Sequence, residues 1–304
     1  MAVYESVHEL VGKTPLVALH AFPLPEGVRI YAKCEYFNPG GSVKDRLGEK
    51  LIREAMQSGK LKPGGTLIEP TAGNTGIGLA LAAVGKGINV IFCVPEKFSA
   101  EKQVLMKALG ARVVTTPTDQ GMSGAVAKAR QLERTIEGGY CPNQFANSDN
   151  PRTYFETLGP EIWDDLDGKV DVLIAGAGTG GTFTGTAEYL KMKNPDVKTV
   201  VVEPVGSILN GGKPAAHRTE GIGMEFIPSF VKTKYFDEIY TIEDQDAFRR
   251  LKEAAKYEGL LIGSSSGSAL HAALLEAEKS EPGTTIVVIF PDSSERYLGE
   301  HIYE

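Results

Sequence analysis

The sequence has little cysteine: three in 304 residues, at Cys34, Cys93 and Cys141, with no Cys-x-x-Cys spacing. An odd, scattered set excludes a disulfide framework and a thiolate zinc site. Cys34 and Cys93 lie in the apolar, strand-like runs IYAKCEYF and VIFCVP, which predicts buried structural thiols. The five histidines show no His-Glu-x-x-His or other metal spacing. Tryptophan occurs once, as Trp163 in EIWDDL, and reads as core or interface packing. No apolar run is long enough to span a bilayer. The first residues, MAVYESVHELVG, carry no basic start followed by an apolar stretch, so no secretory signal is visible and a cytoplasmic location is the expectation. The net charge is −7 and the basic residues are dispersed, which excludes the concentrated positive footprint of a nucleic-acid surface.

What is present is alternation. RIYAKCEYF, GTLIEP, INVIFCVP and ARVVTTP read as strands, each followed by a helical pattern. Those patterns are KDRLGEKLIREAMQSG, GNTGIGLALAAVGKG, SAEKQVLMKALG and MSGAVAKARQLERTIEGG. Ser99 reads as the start of the third of these helices and Gly110 as its stop, while Lys102 stands where a capping box needs an acid. A second series follows: TYFETLGPEIWDDL as one helix, then KVDVLIAGAG, GGTFTGTAEYLKMK and KTVVVEP. After an irregular stretch come two helices, QDAFRRLKEAAKYEG and SGSALHAALLEAEKS, and the strand TTIVVIFP. This order predicts an α/β protein whose parallel sheets are covered by helices on both faces. The segment YCPNQFANSDNPRTY is the expected border between two α/β halves. Ligands of such sheets sit beyond the carboxyl ends of strands, so strand-to-helix turns should carry the chemistry.

Several turns are unusual. AGAGTGGTFTG places Gly176, Gly178 and Gly181 between a strand and a helix, and Glu203 ends the next strand. Alone this is close to a dinucleotide-binding fingerprint and makes an NAD-dependent oxidoreductase a candidate. Thr179 and Thr182, interleaved with the glycines, suit a terminal phosphate monoester better, since backbone N–H groups and hydroxyls together match its three acceptor oxygens. EPTAGNTGIG puts Thr71, Asn74 and Thr75 where a strand ends and a helix starts, a place for a carboxylate or simply an N-cap. GSSSGSAL reads as serine capping or as another site turn. In NPGGSVKDR, Lys44 follows Gly41 by three residues and precedes Asp45, which is not the P-loop pattern.

NPGGSVKDR, EPTAGNTGIGLA, GAGTGGTFTG, GSSSGSAL and PDSSERYL occur in that order. With them the chain resembles the cysteine synthase / cystathionine β-synthase family, pyridoxal-phosphate enzymes of the tryptophan-synthase-β fold (fold type II), from about ELVGKTPL to the carboxyl end. The resemblance implies two α/β domains with central sheets flanked by helices. Residues 39–145 would form a smaller, mobile domain carrying the lysine and the substrate loop. Residues 1–38 plus 146–304 would form a larger one carrying the phosphate loop. It implies pyridoxal 5′-phosphate bound covalently by Lys44, with Gly178, Thr179, Gly180, Gly181 and Thr182 around its phosphate, Asn74 at its 3′-oxygen and Ser265 facing its pyridine nitrogen. Thr71, Ala72, Gly73, Thr75 and Gln144 would bind the substrate, with Thr71, Thr75 and Gln144 receiving its α-carboxylate. A neutral serine at the ring nitrogen suits β-replacement through an aminoacrylate, with Lys44 as the base at Cα. Small-molecule amino-acid substrates and a homodimer are the expected partners.

Within that family, EPVGSILNGG followed by TEGIGMEFIP resembles cystathionine β-synthases rather than sulfide users. Glu220 stands where sulfide-using members more typically have glutamine, and an acid there would pair with the distal ammonium of homocysteine. Ala72 departs from the common serine and goes with members that prefer an acetylated serine. The reading is therefore cystathionine formation from O-acetylserine (or serine) and homocysteine, with release of hydrogen sulfide as a side activity and cysteine synthase as the alternative. The short amino end and the HIYE ending give no expectation of a haem-binding or regulatory module. His217 reads as a gate or a solvated loop residue, and Ser293 and Arg296 as near the cofactor ring or as capping groups.

Overall fold

The structure, a computed structural model, describes residues 3–71, 73–96 and 100–304. Ala72, the expected substrate-loop alanine, and Ser99, the expected helix start, lie outside the described residues.

In chain order the elements are β1 (Leu16–Ala18), β2 (Arg29–Cys34), α1 (Lys44–Gln57), β3 (Thr66–Pro70), α2 (Asn74–Ala83), β4 (Asn89–Pro95), α3 (Ala100–Ala108), β5 (Arg112–Thr116), α4 (Gly121–Thr135) and β6 (Gly139–Tyr140). They continue with α5 (Asp149–Glu156), α6 (Leu158–Asp165), β7 (Val172–Gly176), α7 (Gly181–Lys193), β8 (Lys198–Pro204), β9 (Glu238–Ile242), α8 (Asp244–Glu253), α9 (Ser264–Ala277) and β10 (Thr285–Phe290). Among the described residues the strands form two sheets, ordered β5-β4-β3-β6 and β1-β2-β10-β7-β8-β9. Every pairing is parallel except β1 with β2.

The chain divides into two compact units, Met1–Val11 with Lys44–Asp149 and Gly12–Val43 with Asn150–Glu304. The sequence-based borders at 38/39 and 145/146 lie a few residues from these. Residues 39–43 go with the second unit because Val43 N–H donates to Pro291 O (2.9 Å) and Ser42 bridges Asp292. The amino-terminal stretch goes with the first because His8 pairs with Glu49 and with the Val84 carbonyl.

In the first unit, α4 lays Ala125 and Ala129 on a sheet face of Ile68, Ile91 and Cys93. Helix α2 is buried at nearly every position, as its apolar sequence predicts. It crosses α1 backbone to backbone. A Cβ on Gly48 would lie 2.2 Å from Gly78 O, and one on Gly78 would lie 2.4 Å from Lys44 O. In the second unit, alternate residues Ile30, Ala32, Ile174, Val200, Val202, Ile286 and Val288 share a core with Leu251 of α8 and Leu270 of α9. The intervening Leu173, Val201 and Val287 are also fully buried, so both faces of the sheet are covered.

Two expectations change. TYFETLGPEIWDDL is two helices broken at Thr157, not one. Pro160 has no N–H to donate and its ring clashes with the carbonyl four residues earlier, at Glu156. EIYTI, within the stretch read as irregular, is the edge strand β9, paired in parallel with β8 from Val200↔Glu238 to Pro204↔Ile242.

Candidate active site

In the first unit, β3 ends at Pro70 and α2 begins at Asn74, so Thr71 and Gly73 lie in the turn between them. Thr71 is buried, and its Oγ1 accepts a long hydrogen bond from Gly73 N–H (3.4 Å). Thr75, in the first helical turn, donates its hydroxyl to Gln144 Oε1 (2.7 Å). Space is open where a Cβ on Gly73 would lie, and Gly73 and Asn74 are half-buried, so the leading end of α2 is accessible. The first N–H groups of a helix favour anions, which suits a carboxylate here. Lys44 is the first residue of α1, and its carbonyl packs on Gly78, one turn into α2. Thr71, Gly73, Asn74, Thr75, Gln144 and Lys44 are thus held by one unit, and the α1–α2 crossing keeps Lys44 on the helix that Asn74 opens.

Sequence reasoning missed what holds Gln144. Glu69, on β3 two residues before Thr71, is fully buried. Its carboxylate accepts Asn143 N–H (2.9 Å) on one oxygen and Gln144 N–H (2.9 Å) on the other. Burial pushes its pKa up to about 7, against the pull of those two N–H groups. The only hint in the sequence is a glutamate inside the otherwise apolar strand TLIEP.

In the second unit, β7 runs into residues 177–180 and then into α7. Gly180 takes the left-handed conformation at the helix start (φ 80°), which glycine adopts without strain. Thr179 Oγ1 accepts hydrogen bonds from Asn150 Nδ2 (3.1 Å) and Gly181 N–H (3.3 Å). A Cβ on Gly178 would lie 2.3 Å from Gly221 O, so the segment around Gly221 lines one side of the loop. The same segment reaches α9. Glu220 N–H donates to Ser264 Oγ (3.0 Å), and a Cβ on Gly221 would lie 3.9 Å from Ser265 Oγ. The 178–182 loop, Glu220 and Ser265 are therefore neighbours in this unit. Fully buried Asn150 was missed; its polar type at the half-to-half border carries no outward sign of burial.

Other candidates are structural. Glu203, the expected ribose acid of the dinucleotide reading, is fully buried and accepts Leu209 N–H (2.8 Å), Asn210 N–H (3.0 Å) and Thr241 Oγ1–H (3.0 Å). It orders the GSILNGG loop and presents no ribose site. Arg296 donates to the Gly40 carbonyl and packs on Gly41 (φ 78°), so it secures the turn that precedes Lys44 in the chain. His217, half-buried, bonds Thr219 O through Nδ1 (2.9 Å) with its ring against Gly223. Trp163 packs on the Gly168 turn. Cys34 and Cys93 are buried, and burial pushes both thiols up to about 11.

Residues 7–292 match the family model described as pyridoxal-phosphate dependent enzyme. The chain belongs to this pyridoxal-phosphate dependent family. It is 63% identical over 304 residues (100% of this chain, 99% of the relative) to a Bacillus subtilis protein named O-acetylserine dependent cystathionine beta-synthase. It is 49% identical over 305 residues (100% of both) to a Helicobacter pylori protein named cysteine synthase. The crystal structure of an O-acetylserine dependent cystathionine beta-synthase from Helicobacter pylori superposes with a TM-score of 0.97 at 49% identity, covering 100% of both chains. Membership replaces the dinucleotide reading of the 176–181 glycines.

The residues present fit the cofactor. The loop at 178–182 has glycine where a Cβ would strike Gly221 O (at Gly178) or the Asn150 side chain (at Gly181), and it sits at the amino end of a 13-residue helix, where a phosphate is favoured. The first turn of α9 carries buried, neutral serines, Ser265 among them, uncharged groups of the kind a pyridine nitrogen would accept.

Proposed function

We propose that the protein joins a thiol to the β-carbon of an amino acid, making cystathionine from O-acetylserine and homocysteine. The observation that carries this reading is the full-length 63% identity to the Bacillus subtilis protein of that name. The choice of acceptor rests on the acid at position 220, in the segment that borders Ser264 and Ser265. Lys44 would tether pyridoxal phosphate, Gly178–Thr182 would hold its phosphate, Asn74 its 3′-oxygen, and Ser265 would be the partner of its ring nitrogen. Bound there, the cofactor supplies an electron sink at the substrate's Cα. Thr71, Thr75, Gln144 and the 71–75 turn, Gly73 and Ala72 included, hold the α-carboxylate and so orient the Cα–H bond. Lys44 removes the Cα proton as acetate leaves Cβ, and returns a proton to Cα after the thiol sulfur has bonded to Cβ. Glu220 offers a carboxylate to the distal ammonium of homocysteine, a charge that sulfide lacks. Serine is the alternative donor, and the same bond changes run on cysteine release hydrogen sulfide. We place the enzyme in the cytoplasm, the default for its amino-terminal sequence, and read it as a homodimer on the family resemblance.

A second reading, cysteine synthase, is favoured by the equally complete match to the Helicobacter pylori protein of that name. Product analysis with O-acetylserine and both thiols at equal concentration separates the two. Cystathionine should predominate. Glu220→Gln should lower kcat/KM for homocysteine about tenfold, the scale of one charged hydrogen bond, and leave sulfide use nearly unchanged. Equal or faster cysteine formation, with no effect of Glu220→Gln, selects the second reading.

A further inference from the structure

The α-carboxylate turn of the first unit is itself held by a charge. Glu69 stands two residues before Thr71 on β3 and is 0% exposed. Each carboxylate oxygen takes one of two consecutive backbone N–H groups, those of Asn143 and Gln144. Asn143 must adopt a left-handed backbone (φ 55°) to present them together. Cys141 Sγ adds a weak contact (3.8 Å) to the oxygen that holds Asn143. Gln144, so fixed, receives the Thr75 hydroxyl. One buried carboxylate therefore ties both sides of the turn, Thr71 through the chain and Thr75 through Gln144.

We propose that Glu69 is a positioning residue for the substrate α-carboxylate: its carboxylate sets Gln144 and, through it, Thr75, and losing its charge weakens amino-acid binding rather than proton transfer at Cα. This rests on the reading of Thr71, Thr75 and Gln144 as the carboxylate site. A carboxylate that accepts two backbone N–H groups is a strong, directional anchor. Neutralised, it turns one oxygen into an O–H donor and a poorer acceptor, so the N–H on that oxygen is held more weakly. The groups facing it are Cys93 on β4, Tyr140 on β6, Cys141, and Glu133 on α4, whose Oε1 accepts Cys141 N–H; Lys128 of the same helix acts on Cys93. Burial raises Glu69 to about 7, with Glu133 adding to the rise, so the anchor changes state across neutral pH.

The test uses the holoenzyme and two probes read by the cofactor absorbance. L-Alanine has the α-carboxylate but no leaving group, and methylamine has no carboxylate. Glu69→Gln should raise the apparent Kd for L-alanine about tenfold at about pH 8 and leave methylamine within about twofold. The KM for O-acetylserine should rise in step while kcat holds within about threefold. In the wild type, the preference for L-alanine over methylamine should fall as pH drops from about 8.5 to about 6, and in Glu69→Gln it should stay level. Unchanged L-alanine affinity and KM, or a kcat loss at constant KM, overturns the proposal. If Glu69→Gln does not fold, the wild-type preference decides, a falling one supporting the proposal and a level one overturning it. Thr75→Val separates the layers. If it leaves L-alanine binding intact, the carboxylate assignment fails; if it weakens binding and Glu69→Gln does not, only the role of Glu69 fails.

Discussion

Glu203 shows how differently a residue reads alone and in place. In sequence it ends a strand after a glycine-rich turn, where a ribose-binding acid belongs. In the fold it is a buried anchor for Leu209, Asn210 and Thr241. Glu203→Ala would strip three donors of their acceptor, at a cost of about 2–4 kcal/mol. The thermal midpoint should drop by several degrees, and an unshifted midpoint would show the loop to be ordered by other means. Glu69 and Asn150 were invisible for the same reason. Charged and amide side chains are expected outside, and a sequence does not display the distant backbone groups that satisfy them inside. By contrast, Thr71, Asn74, Thr75, Thr179 and Ser265 drew notice as polar residues set among glycines at helix starts, and their proposed roles came from the family resemblance that the five turns carry together.

At the scale of elements, the alternating strands and helices were legible from periodicity, and the misses have local causes. The break at Thr157 needed the ring of Pro160 to be weighed against an otherwise helical pattern. EIYTI is five residues at a sheet edge, flanked by acids, with too short an apolar signature to stand out. The crossing of α1 and α2 was hidden too, since Gly48 and Gly78 lie thirty positions apart and either looks like an ordinary helical glycine. That crossing predicts an outcome. A methyl on Gly78 meets the Lys44 carbonyl at 2.4 Å, and backbone cannot swing aside as a side chain can. Gly78→Ala should therefore push the first turn of α1 away from α2, costing about 1–3 kcal/mol, and lower turnover more than tenfold by displacing Lys44. Gly85→Ala, where nothing lies within 4 Å and only the left-handed backbone (φ 75°) resists, should lose about 1 kcal/mol and keep its turnover. Equal kinetic damage from both substitutions would refute the positioning role of the crossing.

Across the whole molecule, the ionisable groups pull stability in two directions. Hydrogen bonding from Lys198 (2.8 Å) is the main cause holding the Glu238 carboxyl below its usual range. Burial pushes Asp237 up, but Lys191 and Thr199 together outweigh it and leave it lowered. Stability from these two is present above their unfolded values and is lost as pH falls through the depressed ones. Glu69 has the opposite sign. Its ordinary value of 4.5 rises to about 7, so its contribution is complete below 4.5 and disappears as pH climbs through about 7. For a fully buried group this limb is on the order of 3 kcal/mol. The thermal midpoint of the wild type should accordingly peak on the acid side of neutrality and decline toward about pH 8, with Glu69→Gln removing most of the decline. The same ionisation that destabilises the fold is the one that arms Asn143 and Gln144, so substrate affinity should rise over the very range in which the midpoint falls. A midpoint that is flat or climbing from about pH 5.5 to about pH 8 would sink this coupling, because an ionised, fully buried Glu69 cannot be without cost.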